Sequence, residues 1–222
     1  MFFVTALFQF VSQSFQLSTK TVTSGLNIHQ DLFSTYLVVV HYVLVFVIAA
    51  LSSRFFTEEK RLSTYSLLIT SPLLSWHIVF AKWLGGASLV GVLLMISLIF
   101  PLSMAYFVPI PWFLLMYSYL GLFLVLNVYI VFAMLASILS DSFIVSVVLA
   151  LVFSICYLLL GAGAQLTDWP ALQSFFSYLS VDQHFALFRV GQWNLASCFY
   201  FISVSFFGAF VCERLVELGR WQ

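Results

Sequence analysis

Charged side chains punctuate this sequence at wide intervals, and the stretches between them are apolar. No Asp, Glu, Lys or Arg occurs in residues 1–19, 32–53, 83–140, 142–167 or 190–212. Ionised groups are costly in hydrocarbon, and a membrane-crossing helix needs about 20 apolar residues. The 83–140 gap is 58 residues long. As one helix at about 1.5 Å per residue it would measure nearly three bilayer cores, so it must turn. Pro109-Ile110-Pro111 is the place, because proline interrupts the helical hydrogen-bond ladder. The pattern predicts an all-α integral membrane fold, one transmembrane domain over 1–222, with six transmembrane helices at about 1–17, 33–53, 78–107, 112–139, 143–164 and 196–213. The first span is polar in places, with Gln9, Ser12, Gln13 and Ser14. Its length also suits a signal peptide, but it lacks a basic leading region and a clean small-residue cleavage site.

Composition agrees with the pattern. Of 222 residues, 63% are hydrophobic and 7% charged, against roughly 25% charged in soluble domains. Net charge is zero, which leaves no basic surface for nucleic acid. Cys156, Cys198 and Cys212 lie in apolar runs with no CxxC pair, so neither a metal site nor a disulfide framework is indicated.

The few charges set the expected orientation. Arg54, Lys60, Arg61 and Lys82 lie between spans two and three, and Arg214 and Arg220 follow span six. With six spans these two segments share one side, and the other side holds Lys20 and Arg189. The positive-inside rule places the 54–82 loop and both termini in the cytoplasm. No GxxxxGK[ST] motif occurs, so any ATP chemistry belongs to another chain.

The loop between spans two and three is the most informative stretch. Thr57 is expected to cap a helix, with Glu58 and Glu59 in its first turn. Leu62, Tyr65, Leu68 and Ile69 then fall on one face at helical spacing, and Ser71-Pro72 stops this helix or starts the next. A short amphipathic helix behind a charge cluster either orients its neighbours at the interface or docks a partner.

Residues 161–195 are too polar for one span. Asp168 is a cap candidate before Trp169-Pro170, and Leu172, Phe175, Phe176 and Leu179 follow at helical spacing. A second element runs from Asp182 to Val190 and carries His184 and Arg189. Two short re-entrant helices fit this pattern. His184 pairs with Asp182 or titrates, or else it caps or hydrogen-bonds within the hairpin; Arg189 pairs with Asp182 or lipid headgroups. Trp169, Tyr178 and Trp193 suit an interfacial belt.

Within the spans, His41 and Asn127 are polar, and each either lines a pathway or bonds a neighbouring helix. His41, Asn127, His184 and Arg189 are therefore the candidate pathway or outer-gate residues. Gly85, Gly86, Ala87, Ser88 and Gly91 allow close helix contact, inside the subunit or at a dimer seam.

Glu58-Glu59-Lys60-Arg61, the run Thr64 to Pro72, then Trp76-His77-Ile78-Val79 and Lys82 resemble the signature loop of type-2 ABC transporter permeases. Leu179-Ser180, His184-Phe185 and Gly191 resemble a segment of the gliding-motility-type branch. The resemblance runs from about residue 32 to the C-terminus. It implies that Glu58, Glu59, Lys60, Arg61, Leu62, Tyr65, Leu68, Ile69, Ser71 and Pro72 form a coupling helix seated in an ABC ATPase subunit. It also implies two ATPase subunits, which hold ATP and Mg, and a second permease chain, homo- or heterodimeric. The chain itself then carries no catalytic group and no cofactor, and touches membrane lipids. The outer re-entrant helices would close the exit side. Family members usually start with a basic cytoplasmic helix, whereas this sequence starts almost directly in a span; either the start is truncated or that helix is missing. Two other readings stand beside this one: a non-transporting scaffold that uses the same loop, and a membrane enzyme with Asp182 and His184 as acid–base groups.

Overall fold

The computed structural model describes residues 33–65, 74–106, 110–163 and 169–219, and among them every regular element is helical. In chain order these are α1 (Ser34–Ser52), α2 (Arg54–Arg61), α3 (Ser75–Ser97), α4 (Ile99–Met104) and α5 (Trp112–Leu139). They continue with α6 (Phe143–Gly163), α7 (Pro170–Leu179), α8 (Val181–Arg189) and α9 (Leu195–Leu218). Five stretches are long and apolar enough to cross a membrane: α1 with α2, α3 with α4, α5, α6 and α9. The chain is thus a multi-pass, all-α membrane protein. The expected span at 1–17 and Lys20 lie outside the described residues, as do Asp168 and Arg220.

Helix α5 is the axis of the fold. Its residues Leu122, Val125, Leu126, Val128, Ile130, Ala133, Met134 and Ala136 are fully buried. A helix apolar all round suits such a position, because every face meets another helix. Helices α1, α3, α6, α8 and α9 all pack on it. Lipid-like exteriors fall mostly to the others: Met95, Ile144, Leu159 and Phe207 are exposed, as is Met116 near the start of α5.

Two span ends are kinked, each for a local reason. Pro101 has no N–H, so the Ser97 carbonyl four residues earlier loses its helical donor. The chain bends there, between α3 and α4, and the Tyr36 hydroxyl of α1 donates to that carbonyl at 3.0 Å. The second kink separates α1 from α2 at Ser53. Here Ser137 Oγ of α5 donates to the Ser53 carbonyl at 2.7 Å and accepts from the N–H groups of Phe56 and Thr57 at 2.9 and 3.1 Å. A hydroxyl inserted between residues 53 and 57 replaces the ladder bond and turns the helix.

This changes the expected role of Thr57. It does not cap a new helix: α2 begins at Arg54, and Thr57 is mid-helix, its hydroxyl donating to the Ser53 carbonyl at 2.7 Å. The charges Glu58 to Arg61 are consequently the last turn of α2 rather than the first turn of an amphipathic helix. Helix α2 ends at Arg61, and Ser63 takes a left-handed φ of 57°. Leu62 and Tyr65 thus do not continue the face of α2. Leu68, Ile69, Ser71 and Pro72 lie outside the described residues.

The small-residue run of α3 divides between two surroundings. A Cβ at Gly86 would lie 2.7 Å from Ile130 Cγ2, so this glycine lets α3 approach α5 inside the subunit. Gly85 and Gly91 meet nothing within 4 Å. Helix α9 runs to Leu218, past the expected end at 213, and carries Glu213, Arg214 and Glu217 on its last turns. Arg214 pairs with Glu217 at 2.7 Å, and such internal pairing lets a charged turn extend a helix.

Candidate functional site

Among the described residues, every charged group except Asp182 and Arg189 sits at one end of the bundle. There, adjacent residues of α2 reach different neighbours. Glu59 Oε1 meets Lys82 Nζ of α3 at 2.6 Å, and the same ammonium donates to the Phe55 carbonyl and lies 4.6 Å above the Phe56 ring. Lys60 Nζ donates to the Ile138 and Ser140 carbonyls at 2.7 and 3.2 Å and to Asp141 Oδ1 at 3.0 Å.

The carbonyl bonds of Lys60 matter more than its ion pair. Asp141 is 92% exposed, and a pair that open to solvent contributes about 0–1 kcal/mol. The Ile138 and Ser140 carbonyls are orphans of the α5 C-terminus, where a cation also meets the negative end of the helix dipole. The Lys82–Glu59 pair is largely covered, and Glu59 Oε2 is buried with no hydrogen-bond partner among the described residues. Burial, then the charge of Glu59, pushes the Tyr65 hydroxyl above its ordinary pKa. Lys60 lies 5.7 Å from the same ring.

Beside α2 runs an open groove of about 470 Å³, bounded by Arg54, Glu58 and Arg61 on one wall and Asp141, Phe143 and Ile144 on the other. Arg54 pairs loosely with Glu58 at 3.7 Å and covers the Phe143 ring at 4.8 Å. Of the ten expected coupling residues, Glu58, Glu59, Lys60 and Arg61 fall on α2, with Leu62 and Tyr65 just beyond it. Sequence reasoning treated Lys82 as a boundary marker and Asp141 only as the edge of a gap. The structure makes Lys82 a tether of α2 and Asp141 part of the groove. Ser53 and Ser137 gave no signal at all, since serine is common in apolar helices.

At the opposite end, α7 and α8 form the two short helices expected for this region. His184 does not meet Asp182. Its Nε2 lies 2.9 Å from the Tyr178 carbonyl, which only accepts, so Nε2 carries the proton and Nδ1 faces the Ser197 hydroxyl at 3.0 Å. The ring stacks on Tyr200 at 4.3 Å, and the Tyr200 hydroxyl donates to the Leu179 carbonyl at 2.8 Å. Two orphan carbonyls of α7 are thereby bonded to α8 and α9.

His41 is fully buried, 3.2 Å from the Tyr129 hydroxyl, with the Phe185 ring of α8 at 5.1 Å. Arg189 lies over the same Phe185 at 5.6 Å, and its Nε is buried without a partner among the described residues. Phe185 thus brings His41 and Arg189 into one cluster, with His184 on the other side of α8 towards α9. Asn127 is elsewhere. It lies on α5 facing α3 and α9, and its amide donates to the Phe123 carbonyl of its own helix at 2.7 Å. No group of three or more His, Cys, Asp or Glu side chains suited to a metal occurs among the described residues.

Nothing among curated proteins and nothing among solved structures matches this chain. A family model described as ABC-2 family transporter protein matches residues 1–206. A match over nearly the whole chain, on a multi-pass helical bundle, makes this protein a member of the ABC-2 transporter family, a membrane transporter component.

Proposed function

We propose that the chain is the permease subunit of an ATP-driven type-2 transporter, of the gliding-motility-type branch. It crosses the bacterial inner membrane six times with both termini in the cytoplasm. Two copies, or this chain and a second permease, pair with two ATPase subunits that bind ATP and Mg. Residues Glu58 to Pro72 dock on the ATPase, with the groove beside α2 opening on the same side.

The observation that carries this reading is the grip on α2. Glu59 ties it to α3 through Lys82, Lys60 ties it to the end of α5, and Ser137 holds its first turn. A displacement of α2 by ATPase closure is therefore delivered to two neighbouring spans, α3 and α5, rather than absorbed by a loose loop. His41, Phe185 and Arg189 at the far end would respond as an outer gate, since α8 packs directly on α5.

The test is reconstitution with the ATPase subunit. Lys82→Met should leave the complex assembled and ATP hydrolysis active, but reduce hydrolysis-dependent transport at least tenfold. A chain that never retains an ATPase subunit sinks the reading. Glu58→Gln with Glu59→Gln leaving both docking and transport unchanged does so too.

A further inference from the structure

A second cleft lies within the bundle, beginning one residue beyond Lys82 on α3 and separate from the outer cluster. It measures about 200 Å³ and is formed where α3, α5 and α9 meet. Leu84 and Ile202, both exposed on the lipid-facing flank, stand at its rim, and Phe123 and Leu124 are part of its wall.

Three polar groups line this otherwise apolar space. Asn127 and Ser205 are 5% and 3% exposed. The Asn127 amide nitrogen gives one of its two protons to the Phe123 carbonyl, and its carboxamide oxygen has no partner among the described residues. Ser205 makes no hydrogen bond among the described residues. Trp83 also borders the cleft, and its buried indole N–H has no acceptor among the described residues. Leaving such groups unpaired in hydrocarbon is unfavourable, and helix hydroxyls usually bond back to their own ladder, as Ser154 does to Ala150 at 2.8 Å.

A neighbouring cleft supplies the contrast. Between α5 and α6, Phe132, Phe153, Cys156 and Tyr157 line about 290 Å³. Its one strong polar group, the Tyr157 hydroxyl, is spent on Tyr200 at 3.1 Å. That space is larger and offers an occupant no free donor or acceptor of comparable strength.

We propose that the cleft at Asn127 binds a small uncharged amphiphile taken from the bilayer, one whose hydroxyl or amide can both donate and accept. The donor would face Asn127 Oδ1 and the acceptor would take the Ser205 proton. No charged side chain lines the space, which excludes an ionic head. The volume, about seven water shares, admits a short chain or the end of a longer one. A mostly apolar space with a few convergent polar groups is the usual form of a small-molecule site. This inference concerns the chain alone and does not rest on ATP-driven transport.

The full-length chain in phosphatidylcholine vesicles would be photolabelled with a diazirine-bearing C8 alcohol and, separately, with the same diazirine on the C8 alkane. The alcohol-to-alkane labelling ratio at residues 84–87, 123–127 and 202–205 should exceed that at 132–135 and 153–160 at least tenfold. Ser205→Ala and Asn127→Leu should each lower it severalfold while labelling between α5 and α6 stays unchanged, which also reports that the variant is folded. Equal ratios at the two clefts, or a ratio indifferent to both substitutions, overturns the proposal: the space then holds only lipid tails or water. Efficient chain-to-chain cross-linking through Leu84→Cys, with no labelling of the cleft, means that a second copy covers it, and overturns the proposal as well.

Discussion

The Tyr36 hydroxyl donates to the Ser97 carbonyl that Pro101 leaves without a helical donor, at 3.0 Å across two spans. Ser97 Oγ in turn lies 2.7 Å from Tyr36 Oη and 3.1 Å from Tyr119 Oη, so three helices share one buried polar node. In water an orphan carbonyl would find solvent, but within a membrane it must be satisfied by protein.

Tyr36→Phe should therefore destabilise the chain by about 1 kcal/mol, the usual scale for one such bond. The effect should shrink in a Pro101→Ala background, where the N–H of residue 101 can reach Ser97 again. A double-mutant cycle in mixed-micelle unfolding measures the difference. Simple additivity of the two substitutions would show that the bond does not compensate for the proline.

Ser137→Ala removes the acceptor of two N–H groups and one donor to Ser53. Ser146→Ala removes only one long bond of 3.3 Å to the same carbonyl, which keeps Thr57 and Ser137 as donors. The first should cost about 1–3 kcal/mol and the second well under 1 kcal/mol. A reversed ranking in unfolding experiments would argue against the inserted-hydroxyl account of the kink.

A Cβ at Gly121 would lie 2.3 Å from Phe188 Cβ, so Gly121→Ala must push α8 off α5. About 1–3 kcal/mol of destabilisation is expected, with faster proteolysis between α7 and α9. Gly85→Ala and Gly91→Ala have open space and should leave the monomer fold unchanged. Any effect of theirs should be read in the oligomeric state by cross-linking.

Tyr65 carries a raised pKa from burial and from Glu59. A raised value means that folding favours the neutral phenol. Its contribution is intact below the ordinary value near 10 and is lost as pH climbs through the raised one. Absorbance at the phenolate band, wild type minus Tyr65→Phe, should show ionisation only above that ordinary value. Glu59→Gln should bring the transition down.

The chain's membrane character and its helices were legible in the sequence because hydrocarbon excludes charge, and that exclusion writes itself as gaps. Proline marked the start of α5, which begins at Trp112 directly after Pro111, since its missing N–H is a local property. The concentration of charge around residues 54–61 was equally plain. What each of those charges holds was not. Thr57 looks like a cap until Ser137, eighty residues away, is seen to supply the hydroxyl that turns the helix. His184 looks like a partner for Asp182 until Tyr178 and Ser197 occupy both its nitrogens. Asn127 and Ser205 are ordinary polar residues in separate spans until packing sets them in one cleft beside Trp83. Periodicity and charge act along the chain, within a few residues, and so can be read from it. Hydrogen-bond partners and cavities depend on which helices meet and at what height, and that only the packing of the bundle around α5 decides.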